Sequence, residues 1–210
     1  MSGTGDLLQA TRFFVGFLPS FTNLGYLARR SLWQRETWDF SGQNWLISGA
    51  STGIGREIAR QAAAAGASVL AVARSEDKLA QLAEEAENLP GSIHAIPLDL
   101  SLVASTEELI SRVLSQRPAL NVLVNNVGVL LNTPSTTAEG LDTGFATNLL
   151  NPWLLTTQAC QRGLLTDDAS VIHMSSGGMY NVPLSVPALE SHENYQGALA
   201  YAYHKRAQVE

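Results

Sequence analysis

The sequence predicts an α/β fold: a doubly wound parallel sheet with helices on both faces, three layers in all (αβα). Three observations predict it. Apolar runs and amphipathic helical runs alternate along the 210 residues, which is the pattern of parallel strands joined by helical crossovers. The five apolar runs lack a clean in-out alternation, as strands covered on both faces should. A glycine-rich turn, Ser48-Gly49-Ala50-Ser51-Thr52-Gly53-Ile54-Gly55, joins the first apolar run to a helical one.

Asn44 to Ile47 is the first strand and Arg56 to Ala65 the helix that follows. Between them Gly49 takes the tight turn off the strand. Gly53 lets backbone N–H groups approach an anion. Gly55 lets the helix pack close to the sheet, with its N-terminal dipole facing that anion. Ser51, Thr52 and Ile54 lie in the same turn. This is a Rossmann-type diphosphate site and predicts a bound dinucleotide. Gly66 ends the helix, and Ser68 to Ala73 is the second strand. Arg74 follows, about 20 residues beyond the turn, where a fold preferring NAD carries an acid for the ribose 2′-OH. A guanidinium fork suits a 2′-phosphate instead, so NADP is favoured over NAD. The alternative is a surface arginine at a strand end, with Glu76 and Asp77 nearby.

Ser75 to Glu87 is an acid-rich amphipathic helix with Leu79, Leu82, Ala83 and Ala86 facing inward. Asn88-Leu89-Pro90-Gly91 stops it. Ile93 to Leu98 is the third strand. Asp99, followed by Leu100, lies on the rim where a ligand binds. Its carboxylate either accepts from an adenine amino group or caps the next helix. Ser105-Thr106-Glu107-Glu108 reads as a capping box. Leu120 to Val124 is the fourth strand. Asn125 and Asn126 can bridge backbone groups of neighbouring strand tips, and Gly128 leaves room for a ligand. A helical pattern runs from Leu141 to about Gly163 and carries Asn148. Pro152 within it predicts a kink or a local break in hydrogen bonding. Ser170 to Met174 is the fifth strand, ending in Ser175-Ser176. A loop from Gly177 to Gly197 precedes a helix with Tyr201-Ala202-Tyr203-His204-Lys205.

With 45% hydrophobic and 15% charged residues, the chain reads as one soluble domain with a proper core. A net charge of -6 argues against nucleic acid as a partner. The lone cysteine, Cys160, excludes an internal disulfide framework and reads as a packing residue in a helix. His173, His192 and His204 lack metal-ligand spacing and read as structural or surface residues. The domain is expected over residues 41–210, behind an aromatic-rich extension at 1–40. That extension holds Phe13, Phe14, Phe17, Phe21, Trp33 and Trp38, with Arg12, Arg29, Arg30 and Arg35 among them. Its longest apolar run, Phe13 to Leu18, falls short of the roughly 20 residues a spanning helix needs, and Pro19 interrupts it. It reads as a peripheral membrane arm, or as an extension packed on its own domain or a partner. There is no long secretory h-region, so an intracellular, cytoplasmic protein is expected.

Tyr201 and Lys205 are four apart and share one helix face. An ammonium beside a phenol stabilises the phenolate. The phenol then becomes a usable acid for a carbonyl oxygen, or a base for an alcohol. Ser176, at the tip of the fifth strand, can hold the substrate oxygen. Asn148 can orient a water that re-protonates the lysine side. None of the four carries hydride, so a nicotinamide must supply it. On its own a Tyr-x-x-x-Lys pair is more often helix packing. Tyr203 is a rival with no lysine four positions on.

In their order along the chain these motifs resemble the short-chain dehydrogenase/reductase family, from Asn44 through Glu210. They are Ser48-Gly49-x-x-x-Gly53-x-Gly55, Asp99-Leu100, Asn125-Asn126-x-Gly128, Asn148, Ser175-Ser176 and Tyr201-x-x-x-Lys205. The resemblance implies an oxidoreductase interconverting a carbonyl and an alcohol, with a bound nicotinamide dinucleotide. It implies an Asn148–Ser176–Tyr201–Lys205 tetrad, with Tyr201 as acid/base and Lys205 also holding the nicotinamide ribose. The long stretch between Ser176 and Tyr201 is similar to the retinol dehydrogenase-like branch. With the aromatic N-terminus, that implies a lipophilic small-molecule substrate; a homo-oligomer is a further expectation. Ser48 stands where the family has threonine. Val127 stands where it has alanine and is expected to crowd the cofactor edge. Glu210 follows soon after Lys205, so the sheet is expected to lack the last strands of the family fold, leaving the fifth strand with an uncovered edge. That leaves a second expectation: a dinucleotide-binding or interaction protein without catalysis.

Overall fold

The computed structural model describes residues 22–33, 36–116, 119–190 and 194–209. Two units divide the chain, Met1–Trp38 and Asp39–Glu210. Most of the aromatic extension, including Phe13 to Phe21 and Arg35, lies outside the described residues, as does His192. In the N-terminal unit, helix α1 spans Asn23–Arg30. The Thr22 hydroxyl caps it, accepting from the Gly25 N–H at 3.2 Å. Tyr26 and Trp33 meet edge-on with ring centroids 5.8 Å apart.

The larger unit alternates strand and helix as the sequence predicts. The order is β1 (Asn44–Ser48), α2 (Gly53–Ala64), β2 (Ser68–Ala73), α3 (Glu76–Glu85), β3 (Ser92–Pro97), α4 (Val103–Gln116) and β4 (Leu120–Asn125). There follow α5 (Thr143–Phe145), a π-helical turn (Ala146–Leu150), α6 (Asn151–Gln161), β5 (Leu165–His173), 3-10 turns at Gly177–Asn181 and Val186–Ala188, and α7 (Gly197–Ala207). All strand pairs are parallel, in the order β3-β2-β1-β4-β5.

Successive strand residues feed opposite faces. On one face Ile47, Val69, Ala71 and Val124 pack with Ala59 and Ala63 of α2 and Leu79 and Leu82 of α3. On the other, Leu46, Leu70, Val72 and Leu123 pack with Leu109, Ile110 and Val113 of α4 and Leu155 of α6. Burying each such leucine or isoleucine is worth about 1.5–3 kcal/mol, so the two clusters hold the three layers together. β5 is an edge strand, with Val171 and Ile172 36% and 43% exposed.

Four local expectations are corrected. α2 begins at Gly53, inside the glycine turn, not at Arg56. β5 begins at Leu165, where Leu120 pairs with it before a register shift, and closes at His173. Ser105 and Thr106 do not form a capping box: they are buried inside α4, and the Thr106 hydroxyl donates to the Asn151 side-chain oxygen at 3.2 Å. The Glu139 carboxylate caps α4 instead, accepting from the Val103 and Ala104 N–H groups at 2.7 and 2.9 Å. Cys160 is exposed, not packed. The loop after β5 is broken by its two 3-10 turns. Pro152 acts as expected. The Asn151 N–H bonds five residues back to the Ala146 carbonyl, and Pro152 has no N–H to offer the Asn148 carbonyl.

Candidate active site

A cavity of about 530 Å³ opens at the carboxyl ends of β1, β2 and β4. The chain builds outward from β1 through β2 to β3, then crosses to β4 on the other side of β1. Open α/β sheets bind ligands at this switch point, and the volume suits a small-molecule site.

The glycine elbow forms one end. Gly49 and Gly53 have φ of +69° and +57°, where a side chain is strained. A Cβ on Gly49 would lie 2.8 Å from the Asn126 amide nitrogen, and one on Gly55 would collide with the Gly49 carbonyl oxygen. Asn126 uses that closeness: its amide donates to the Ser48 and Gly49 carbonyls, both at 3.1 Å. The Ser48 hydroxyl donates to the Val124 carbonyl at 3.2 Å and accepts from the Asn126 and Val127 N–H groups. The Ser48 hydroxyl and the Asn126 amide together therefore stitch the two strand tips. Asn125 bonds elsewhere, donating to the Thr156 hydroxyl at 2.9 Å. Ser51, Thr52 and Ile54 line the cavity. Thr52 makes no side-chain cap bond to α2, so the first N–H groups of that helix keep no side-chain acceptor.

Arg74, Ser75 and Lys78 line the far wall. Sequence reasoning named Arg74 and missed the other two. Asp99 and Leu100, at the neighbouring tip of β3, also line the cavity, and the Asp99 carboxylate accepts from the Ser101 N–H at 3.0 Å. Asp99 thus closes a local turn, while Glu139 caps the helix. Val127 and Gly128 lie at the inner end, with Thr143 and Thr147.

Asn148, Ser176, Tyr201 and Lys205 are not among the residues lining this cavity. Gly128 connects two of them to it. A Cβ there would stand 3.3 Å from the Asn148 side-chain oxygen and 3.9 Å from Lys205 Nζ. Lys205 is buried, and its Nζ donates to the Met174 carbonyl at 2.7 Å and to Gln208 Oε1 at 3.0 Å. Burial pushes its pKa from the ordinary 10.5 down to about 8. The same Nζ lies 5.7 Å from the centroid of the half-buried Tyr201 ring. Ser176 Oγ accepts from the Gly178 N–H at 3.3 Å, which leaves its hydroxyl hydrogen to donate. α7 packs on the 3-10 turn that follows Ser176, and the Ser175 hydroxyl donates to the Lys205 carbonyl at 3.4 Å.

The Asn148 side chain is held inside the fold. Its side-chain oxygen accepts from the Val129 N–H at 2.8 Å, and its amide nitrogen donates to the Val129 carbonyl at 2.9 Å. That nitrogen also lies 3.3 Å from His204 Nδ1. Its two N–H groups are thus spent inside the fold. His204 is buried, which sequence reasoning placed only as structural or surface.

The family model described as short chain dehydrogenase matches residues 43–186. The chain belongs to the short-chain dehydrogenase family. Members of that family bind NAD(P). The glycine turn fits such a group: a Cβ on Gly53 would meet no protein atom within 4 Å, so the backbone there stays open to a ligand, and Ser51, Thr52 and Ile54 line the cavity beside it. Dehydrogenase/reductase SDR family member 12 of Bos taurus is 30% identical over 210 residues, covering 97% of this chain and 65% of that protein. Retinol dehydrogenase 12 of Homo sapiens is 30% identical over 204 residues, covering 93% of this chain and 65% of that protein. Among solved structures, a short-chain dehydrogenase/reductase from Serratia marcescens superposes with a TM-score of 0.65 at 27% identity, covering 81% of this chain and 65% of that one. The chain thus spans a little under two thirds of the length of these short-chain dehydrogenase relatives.

Proposed function

We propose that the protein is an NADP-preferring oxidoreductase that interconverts a carbonyl and an alcohol. The observation that carries this reading is Gly128: one residue lines the cavity that begins at the glycine elbow, and it also stands against Lys205 and Asn148. The hydride would come from a nicotinamide. Tyr201 gives its phenolic proton to the carbonyl oxygen, or takes one from an alcohol. Lys205 supplies the positive charge beside that phenol, and its third N–H is left for a ribose hydroxyl. Ser176 donates to the substrate oxygen. Asn148 holds the Val129 backbone, and so the inner wall, in place.

NADP preference rests on the cations. Arg74 and Lys78 offer two positive charges and Ser75 a hydroxyl on one wall, which suits a 2′-phosphate. A lipophilic substrate is supported by the retinol dehydrogenase relatives and by the loop after β5, which exposes Tyr180, Leu184 and Val186. The test is NADPH fluorescence on binding, followed by NADPH oxidation with a panel of lipophilic aldehydes and ketones. Binding with turnover supports the oxidoreductase. Binding without turnover supports the dinucleotide-binding protein.

No helix among the described residues is long and apolar enough to cross a membrane. We propose peripheral contact through the N-terminal unit, where Leu24, Leu27, Leu32 and Trp33 are exposed and α1 ends in Arg29 and Arg30. Apolar and basic residues together suit an anionic lipid surface. Co-sedimentation with anionic vesicles, weaker after Trp33→Ala, is the expected result.

A further inference from the structure

We propose that His204 is a positioning residue, a clasp that fixes Asn148 on one side and the loop after β5 on the other; its catalytic consequence rests on the oxidoreductase reading above. His204 sits in α7 directly before Lys205 and is 2% exposed. Its Nε2 lies 2.8 Å from the Leu189 carbonyl oxygen. A carbonyl only accepts, so Nε2 carries the hydrogen. Burial pushes the ring's pKa down; the Leu189 carbonyl and then Asp142 oppose that, and Lys205 adds to it. The buried ring is therefore neutral, and Nδ1 presents a lone pair.

That lone pair fixes Asn148. The amide nitrogen, 3.3 Å from Nδ1, is the donor. The same nitrogen donates to the Val129 carbonyl, and the oxygen accepts from the Val129 N–H. Flipping the amide would set oxygen against the Val129 carbonyl and against the Nδ1 lone pair. The ring is also confined. A Cβ on Gly144 would lie 3.1 Å from His204 Cε1, and the Phe145 ring centroid is 6.3 Å away.

Four segments meet at this imidazole: α5 with Gly144 and Phe145, the π-helical turn, the residues after Val186–Ala188, and α7 with Tyr201 and Lys205. The Asn148 arm sets the inner wall of the cavity. The Leu189 arm sets the loop that carries Leu184 and Val186. Loss of the first should lower kcat, and loss of the second should raise KM for a bulky substrate.

The two arms can be separated. His204→Asn keeps an acceptor where Nδ1 stands, and His204→Gln keeps a donor where Nε2 stands. In the full chain, His204→Asn should keep amide-exchange protection at Val129 and kcat close to the parent's, with KM raised. His204→Gln should keep KM but lose about tenfold in Val129 protection and in kcat, the scale of one hydrogen bond. Variants that match the parent throughout, or lose everything equally, overturn the clasp. If the parent turns over no carbonyl, the oxidoreductase reading falls while Val129 protection alone still decides the clasp. The unmutated protein, labelled with 15N-histidine, should show a protonated Nε2 and a bare Nδ1 at His204. A doubly protonated ring or the other tautomer at neutral pH overturns the proposal without any variant.

Discussion

Single side chains decide the chemistry, and Tyr201 is the first to test. Tyr201→Phe removes one oxygen from a half-buried ring and leaves its packing. Turnover should fall by at least about 100-fold, the usual scale for a general acid, while NADPH fluorescence titration shows cofactor binding within a few-fold of the parent. Lys205 gives a second test, because its pKa is down to about 8. As pH rises through that value the ammonium is discharged, and carbonyl reduction should decline. Stability should move the other way. An unfolded lysine keeps its proton up to the ordinary 10.5, so between about 8 and 10.5 the unfolded chain binds more protons and the fold gains stability as pH rises. Below about 8 the full cost of burying the charge is present, on the order of 3 kcal/mol. Urea unfolding at pH 7.5 and 9.5 checks this, with Lys205→Met expected to flatten the difference. Spacing, strand ends and the family resemblance together named Asn148, Ser176, Tyr201 and Lys205, and the place after β2 named Arg74. Lys78 and His204 were not picked out, because nothing in their neighbours shows which wall they face until the sheet is assembled.

At the scale of elements, caps tell most. The sequence rule for α4 looks only at adjacent residues and lands on Ser105-Thr106-Glu107-Glu108. The carboxylate that actually caps α4 comes from Glu139, in the loop before α5. No local pattern announces a partner that far along the chain. Glu139→Ala should therefore cost about 1 kcal/mol in denaturant unfolding, the usual value of a lost cap, while Ser105→Ala should cost much less. A larger loss at Ser105 would contradict this cap assignment. The strands were legible because apolar runs closed by Gly, Asn or Asp leave little choice. The start of β5 was hidden because Thr166-Asp167-Asp168 looks like a loop; of the five residues that extend the strand, Leu165 alone pairs, with Leu120, ahead of the register shift.

For the whole molecule, parallel strands follow from the alternation of elements, and the ligand site follows from the sheet order. A cofactor seated there holds the tips of β1, β2 and β4 together, so binding should raise the unfolding free energy by about 2.7 kcal/mol at a hundredfold excess over Kd. Thermal melts should shift more with NADPH than with NADH, and Arg74→Asp should cancel or reverse that difference. An equal shift with both cofactors in the parent would assign Arg74 to the surface. The π-helical turn at Ala146–Leu150 has a consequence of the same reach. It carries one more residue than a regular turn would, and each residue of an α-helix rotates the next by about 100°. Deleting a single amino acid from this turn would leave α6 as it is and swing Asp142, Phe145 and their neighbours a quarter-circle around the axis, so that the amide facing Val129 would point elsewhere. The inner wall of the cavity is thus written as a count of residues as much as a choice of them.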